Sequence, residues 1–354
     1  MAPGLALAQD SSGCSLSLVF VGDIMGHDTQ VAAAYNKNTQ TYDFAESFSL
    51  VKTFILQADL AFANLETPLA GPPYTSYPVF SAPDQLVVGA KDAGFDVLFT
   101  ANNHSCDKWR KGIERTVRVL DSLGIAHTGV FADSARWLSG YPLLVEKNGF
   151  RLSLLNYTYG TNGVRIPKGA IVNLTDTVQM RKDIAKAKQM EPDAIIAFMH
   201  WGDEYAQVPN NEQIKLTHFL VEEGVKIVVG AHPHVLQRME FYPDKGYLVA
   251  YSLGNFVSGQ RTKPRDGAAL LHVSLLKKDG KTVIDSASYL LTYVHYPKIS
   301  NLRRFMVVPV IKASLIDDRQ APGNMGWGRM AEYAKDARIL MGTNMNVPEI
   351  MSIE

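Results

Sequence analysis

Six short turns in this 354-residue chain carry residue types that ligate metals or move protons. They read G-D-I-M at 22–25, N-L-E-T-P-L at 64–69, A-N-N-H at 101–104, H-W-G-D-E-Y at 200–205, G-A-H-P-H-V at 230–235 and S-L-G-N-F at 252–256. Five of the nine histidines (27, 104, 200, 232 and 234) fall in or beside these turns. Singly, each residue has an ordinary reading: Asp23 after Gly22 suits a turn or a helix cap, and an isolated His200 suits a packed core. His232-Pro233-His234 is more pointed, because residues i and i+2 of an extended segment face one side and the proline restricts the backbone between them. Together, Asp23, Glu66, Asn103, His200, His232 and His234 form a carboxylate, amide and imidazole set with no thiolate. Such donors suit divalent Mn, Zn, Fe or Mg. Three imidazoles, two carboxylates and an amide exceed what one tetrahedral catalytic zinc needs. The surplus predicts two cations about 3.5–4 Å apart, an arrangement that activates water and stabilises entering and leaving oxygens.

For residues so far apart in sequence to meet, the elements before them must deliver them to one place. Each turn follows an apolar run, and five of the six runs end in a residue that could bind a metal: Leu16 to Val21, Leu60 to Ala63, Val97 to Thr100, Ala194 to Met199 and Ile227 to Val229. A sixth run, Tyr247 to Tyr251, leads into S-L-G-N-F. Short runs rich in Val, Ile, Leu and Phe read as strands buried on both faces. Between them, Ile113, Val117, Leu120 and Leu123 share a helical face before Gly124, Ile214, Phe219 and Leu220 do so before Gly224, and residues 175–190 suit a surface helix. The alternation predicts an α/β fold with a parallel or mixed sheet, whose ligands gather at the carboxyl ends of the strands. Residues 71–83, with four prolines and two tyrosines, read as an ordered loop walling a pocket. Beyond Gly267 come β-like stretches at 269–276 and 282–293, a loop at 318–329 and a helix at 330–341. The expected organisation is an N-terminal remnant at 1–14, one principal domain at 15–300, and a C-terminal extension at 301–354 packing on it.

Composition narrows the function classes. With 35 Lys+Arg against 35 Asp+Glu, the formal charge is zero and no global field favours nucleic acid. No apolar run approaches the ~20 residues of a spanning helix. Two cysteines, Cys14 and Cys106, make no disulfide scaffold. Ala6-Leu7-Ala8 has the small-x-small form of a signal-peptidase site, and Ser12-Gly13-Cys14 faintly resembles a lipoprotein site; the alternative is an ordinary small-residue start. The expectation is an exported protein, periplasmic or at the cell surface.

The ordered set of six motifs, spanning about residues 15–300, resembles the CapA/PgsA (PGA_cap) family of bacterial capsule and poly-γ-glutamate synthesis proteins. That family's fold is similar to the calcineurin-like metallophosphatases. The resemblance implies a four-layer α/β/β/α sandwich. It also implies roles: Asp23 as carboxylate of the first metal, Glu66 as the bridge, Asn103, His200 and His232 on the second metal, and His234 returning to the first. His104 would be the acid that protonates a leaving group or holds the developing oxyanion. Two departures stand out. The metallophosphatase Asp-x-His has Met25 in place of His, with His27 as a substitute two residues on, and the bridge is Glu66 rather than Asp. Around this centre Asn255 reads either as a ligand or substrate contact or as a left-handed turn residue. Asp203, Glu204 and Tyr205 read as groups orienting His200, and Trp109 and Tyr74 as pocket walls or plain packing. Arg261, Lys263 and Arg265 form a basic loop, read either as a contact for an anionic polymer or as solvated surface. The functional expectation is a metal-dependent hydrolase acting on poly-γ-glutamate, another anionic envelope polymer or a small anionic ester. The alternative is a non-catalytic capsule assembly or transport component.

Overall fold

Two sheets supply the strands that end at these turns. The computed structural model describes residues 14–278, 280–299, 302–311 and 327–351. Both the expected leader tail, Met1 to Gln9, and most of the loop expected at 318–329 lie outside the described residues. The eight-stranded sheet runs in the order Met306–Pro309, Lys281–His295, Gly267–Lys278, Ser15–Ile24, Leu60–Leu65, Val97–Phe99, Ala126–Thr128, with Asn255–Val257 also paired to Ser15–Ile24. Its Ser15, Leu60, Val97 and Ala126 strands are mutually parallel, while the three beyond Ser15–Ile24 run antiparallel. The six-stranded sheet has Met239–Tyr242, Tyr247–Ala250, Ile227–Ala231, Ala194–His200, Phe150–Thr158 and Leu143–Lys147 in that order, parallel at its centre and antiparallel at both edges.

The period of two along each strand sorts the side chains into layers. Leu16, Leu18, Phe20, Leu60, Phe62, Val97 and Phe99 of the first sheet meet Leu152, Leu154, Ile196, Phe198, Ile227 and Val229 of the second in one core. Phe99 stacks on Phe198 across the gap at 4.5 Å, and Phe62 on Phe20 and Phe99 at 4.7 and 6.1 Å. The alternate residues face outward: Val19, Val21, Ala61, Ala63 and Leu98 pack under Phe48, Ile55, Leu86, Ala90 and Leu120 of the helical layer. On the other side Leu155, Tyr157, Ile195, Ala197 and Val228 are covered by Met180 and Ile184 of the helix Thr177–Gln189 and by Leu220 of Asn211–Glu222. The result is the four-layer α/β/β/α sandwich.

The helix Trp109–Leu123 ends at Gly124 in the left-handed conformation (φ 62°), where a residue without Cβ is unstrained. Toward the C-terminus, Met306–Pro309 is an edge strand of the large sheet, so that sheet runs across the boundary expected near residue 300. The helix Trp327–Met341 turns Met330, Tyr333, Ala334 and Ala337 into the inter-sheet core. Cys14 is exposed and Cys106 buried, and both are free thiols.

Because Phe198 is wholly buried and joins the two sheets, Phe198→Ala should lower the unfolding free energy by about 3–5 kcal/mol. Denaturant titration of both proteins measures this; a loss under 1 kcal/mol would mean the inter-sheet stack is not a main source of stability.

Candidate metal centre

Each candidate ligand is placed by a local feature of its strand end. Along Ser15–Ile24 the inward residues are Leu16, Leu18 and Phe20, which by strict alternation would turn Asp23 outward. A register shift intervenes: Phe20 pairs with Phe62, but Asp23 pairs with Asn64, three residues on one strand against two on the other. This bulge re-aims Asp23 to the inner face. Gly22 makes it possible, since a Cβ there would lie 1.9 Å from the Gly254 carbonyl oxygen. Asp23 N–H donates to that same carbonyl at 3.0 Å.

Asn64 faces inward with Phe62 and joins the two halves of the centre. Its Nδ2 donates to Asp23 Oδ1 at 2.7 Å and lies 3.3 Å from His200 Nδ1. The A-N-N-H turn is fixed from the opposite sheet by Asn156, whose Oδ1 accepts the N–H groups of Thr100 and Ala101 at 3.0 and 2.7 Å. Asn156 Nδ2 in turn donates to the Phe198 carbonyl, so one carboxamide ties both sheets together beneath the turn. Asn103 Oδ1 then sits 2.9 Å from His200 Nε2.

Beyond the strand Ile227–Ala231, His232 and His234 both adopt left-handed backbone conformations, with φ of 97° and 59°. Such φ values are uncommon for residues with a side chain and persist only when the surroundings impose them. His234 is oriented by Asn255, whose Nδ2 donates to the Arg265 carbonyl and whose Oδ1 therefore faces His234 Nδ1 at 3.0 Å. Asn255 is a strand residue paired with Asp23; the left-handed turn residue is Gly254.

These placements bring the ligand set into two groups that share one carboxylate. Glu66, His200 and His232 present donor atoms within 4.8 Å of one another, and so do Asp23, Glu66 and His234. Asp23, Glu66 and His200 are 0% exposed, and His232 and His234 are almost as enclosed. Glu66 Oε1 lies 3.5 Å from His200 Nε2 and 3.8 Å from His234 Nε2, too far for hydrogen bonds. Among the described residues, both Glu66 oxygens and His232 Nδ1 have no hydrogen-bond partner. Buried acceptors without partners are costly and rare. Bonds of about 2.0–2.2 Å from a cation to several of these donors would satisfy all three. The residues fit divalent cations.

The electrostatics agree. Burial, and then the neighbouring Asp23, raises the Glu66 carboxyl well above the usual range. Burial alone would raise Asp23 too, but the bonds from His234 and Asn64 outweigh it and hold that carboxyl low. Burial followed by the mutual repulsion of the imidazoles depresses His200 strongly and His232 to about 3, so both rings are neutral with lone pairs available.

Other expected residues fall differently. His27 lies outside both triads: its Nδ1 accepts the Gly259 N–H at 3.1 Å, and its ring meets Phe80 edge-on, so it does not substitute for the missing motif histidine. Met25 is buried there, 3.8 Å from the Ser258 hydroxyl. Asp203, Glu204 and Tyr205 are exposed and do not orient His200; Asn64 and Asn103 do. Trp109 is 60% exposed and walls nothing at the centre, and Tyr74 lines a separate 310 Å³ cavity with Tyr35 and Tyr42. His104 is buried at the centre; its Nδ1 bonds Asp107 Oδ2 at 2.8 Å, and that oxygen also accepts the Phe80 N–H. Thus the 71–83 loop does wall the site, through Phe80 against His104 at 4.6 Å. Sequence reasoning passed over Asn64, Asp107 and Tyr159, whose ring lies 4.5 Å from that of His232.

Protein reconstituted with Mn should hold two ions, fall to one in His234→Ala, and lose both in Glu66→Gln, as read by elemental analysis. Equal metal content in all three proteins would remove the shared-carboxylate arrangement.

The profile of the bacterial capsule synthesis protein PGA_cap matches residues 17–260. The chain is 30% identical to the capsule biosynthesis protein CapA of Bacillus anthracis, over 76% of this chain and 66% of that protein. It is 29% identical to the PGA biosynthesis protein CapA of Bacillus subtilis, over 75% and 69%. Among solved structures, the calcineurin-like phosphoesterase YfkN of Bacillus subtilis aligns with a TM-score of 0.45 and 12% identity, covering 79% of this chain and 91% of that one. The profile match over most of the sandwich carries the assignment: the chain belongs to the PGA_cap family of bacterial capsule synthesis proteins.

Proposed function

We propose that the protein is a metal-dependent hydrolase of capsule biosynthesis, acting outside the cytoplasm on an anionic envelope polymer of the poly-γ-glutamate type or on a small anionic ester. The observation that carries this reading is Glu66, a wholly buried carboxylate with two unpartnered oxygens shared by both ligand triads. A scaffold that only held polymer would have no need of such a group. No helix among the described residues is long and apolar enough to cross a membrane.

Divalent cations held by these triads would supply Lewis acidity and lower the pKa of a bound water. The chain's own residues do the rest. Asp107 accepts from His104 Nδ1, which fixes the imidazole tautomer and leaves Nε2 to hold or deliver a proton at the leaving atom. Phe80 packs edge-on against His104 and limits water at that ring. Asn64 keeps Asp23 and His200 in fixed relation, so the two triads act as one site.

One observation favours a second reading, a polymer-binding assembly component: Met25 stands where metallophosphatases carry a motif histidine, and it is 1% exposed. Turnover separates the two. With Mn or Zn, the protein should cleave at least one of γ-glutamyl amides, aryl phosphates or phosphodiesters, and His104→Ala should lower kcat about 100-fold or more while retaining the metal. Polyglutamate binding with no turnover of any of these substrates would favour the assembly component.

A further inference from the structure

The turn that brings His232 and His234 to the centre is tied on its outer side to the basic loop after S-L-G-N-F. Asn255 makes the tie: Oδ1 faces His234 Nδ1 at 3.0 Å, while Nδ2 donates to the Arg265 carbonyl at 2.9 Å and to Gln260 Oε1 at 3.2 Å. The side chain that orients a candidate ligand thereby also positions Arg265. From there the Arg265 guanidinium lies over the Tyr205 ring, 4.3 Å from its centroid. Tyr205 is itself set by the H-P-H turn. Its N–H donates to the Pro233 carbonyl at 2.8 Å, its backbone is left-handed (φ 67°), and its ring lies 6.1 Å from that of His234.

The three basic residues of the loop are not equivalent. Lys263 Nζ is paired with Asp336 Oδ2 at 2.5 Å and lies 4.0 Å from Glu332. Arg261 stacks on Tyr293 and Tyr296 and donates to the Tyr293 hydroxyl at 3.2 Å. Arg265 has no carboxylate partner among the described residues; one Nη donates to the Thr262 hydroxyl. A guanidinium carries five N–H donors in a planar fork, so stacking one face on an aromatic ring leaves the fork edge for a planar oxyanion. The aromatic seat holds that plane and costs the cation little, because the ring face is itself negative.

We propose that Arg265, seated on Tyr205, receives a carboxylate or phosphate of the substrate adjoining the bond to be cleaved, and so makes this site selective for anionic substrates. The inference deepens the hydrolase reading and rests on it for its catalytic meaning, but the recognition is measurable without turnover.

The Mn-loaded protein is titrated calorimetrically with a short γ-linked glutamate oligomer, with the same oligomer amidated on its free carboxylates, and with inorganic phosphate. Arg265→Met should weaken the charged oligomer at least tenfold while leaving metal content and the amidated oligomer unchanged. Arg265→Lys should fall between, since the charge survives and the fork does not, and Tyr205→Leu should also be intermediate. A larger loss for the oligomer than for phosphate assigns the oxyanion as a carboxylate; the reverse assigns it as a phosphoryl group. Equal weakening of charged and amidated oligomers, no effect of Arg265→Met, or failure of both charged probes to bind the wild type would overturn the proposal. Arg265-dependent binding with no turnover would sink the hydrolase reading alone.

Discussion

Glu66 is a carboxylate removed from water, with imidazoles and a second carboxylate as its neighbours and, among the described residues, no hydrogen bond to either oxygen. Even after relaxation, burying one ion costs several kcal/mol, and the nearby Asp23 adds repulsion rather than relief. Two remedies exist: a proton, which the raised pKa expresses, or a cation placed between the carboxylate and the neutral imidazoles. Neutral His200 and His232 contribute lone pairs and no countercharge, so they assist the second remedy and do nothing for the first. The cost of Glu66 is borne by a sandwich whose stability lies elsewhere, in the ladder of phenylalanines between the sheets.

The rest of the centre looks built to keep that carboxylate where it is. Three carboxamides hold the frame: Asn64 between Asp23 and His200, Asn156 between the sheets under the A-N-N-H turn, and Asn255 behind His234. Each uses donor and acceptor together, Asn64 Oδ1 accepting from Asn102 Nδ2 at 3.4 Å, so each has a single orientation and cannot rotate without losing its bonds. Left-handed backbone at His232, His234 and Tyr205 adds strain that these bonds and the surrounding packing must offset. Rigidity of this kind is what a site needs when its ligands come from strands two hundred residues apart.

Much of this was legible in the sequence because buried parallel strands appear as apolar runs, and whatever follows them lies at one end of the sheet. The six candidate ligands stand at such ends, and that rule alone was enough to gather them. Asn64 was missed because the apolar run reads as ending at Ala63, with Asn64 in the turn, whereas the strand continues to Leu65 and makes Asn64 the polar end of the inner face. The strand Phe150–Thr158 was missed because Arg151, Ser153 and Asn156 break the apolar pattern, and with it went Asn156 and the neighbouring Tyr159. Register cannot be read from alternation, so the bulge that turns Asp23 inward was invisible. His27 failed as a ligand because spacing along a chain says nothing of Gly259, which approaches it from a distant loop.

The two triads differ in chemistry although they share a member. Asp23, Glu66 and His234 offer two carboxylates and one imidazole; Glu66, His200 and His232 offer one carboxylate and two imidazoles, with the Asn103 amide beside them. The first is the harder site and the more negative, the second the softer and the less negative. In the first triad Asp23 and Glu66 would share the charge of a bound cation and lose their mutual repulsion, while in the second only Glu66 would supply charge. Glu66, common to both, would therefore couple occupancy of the two triads.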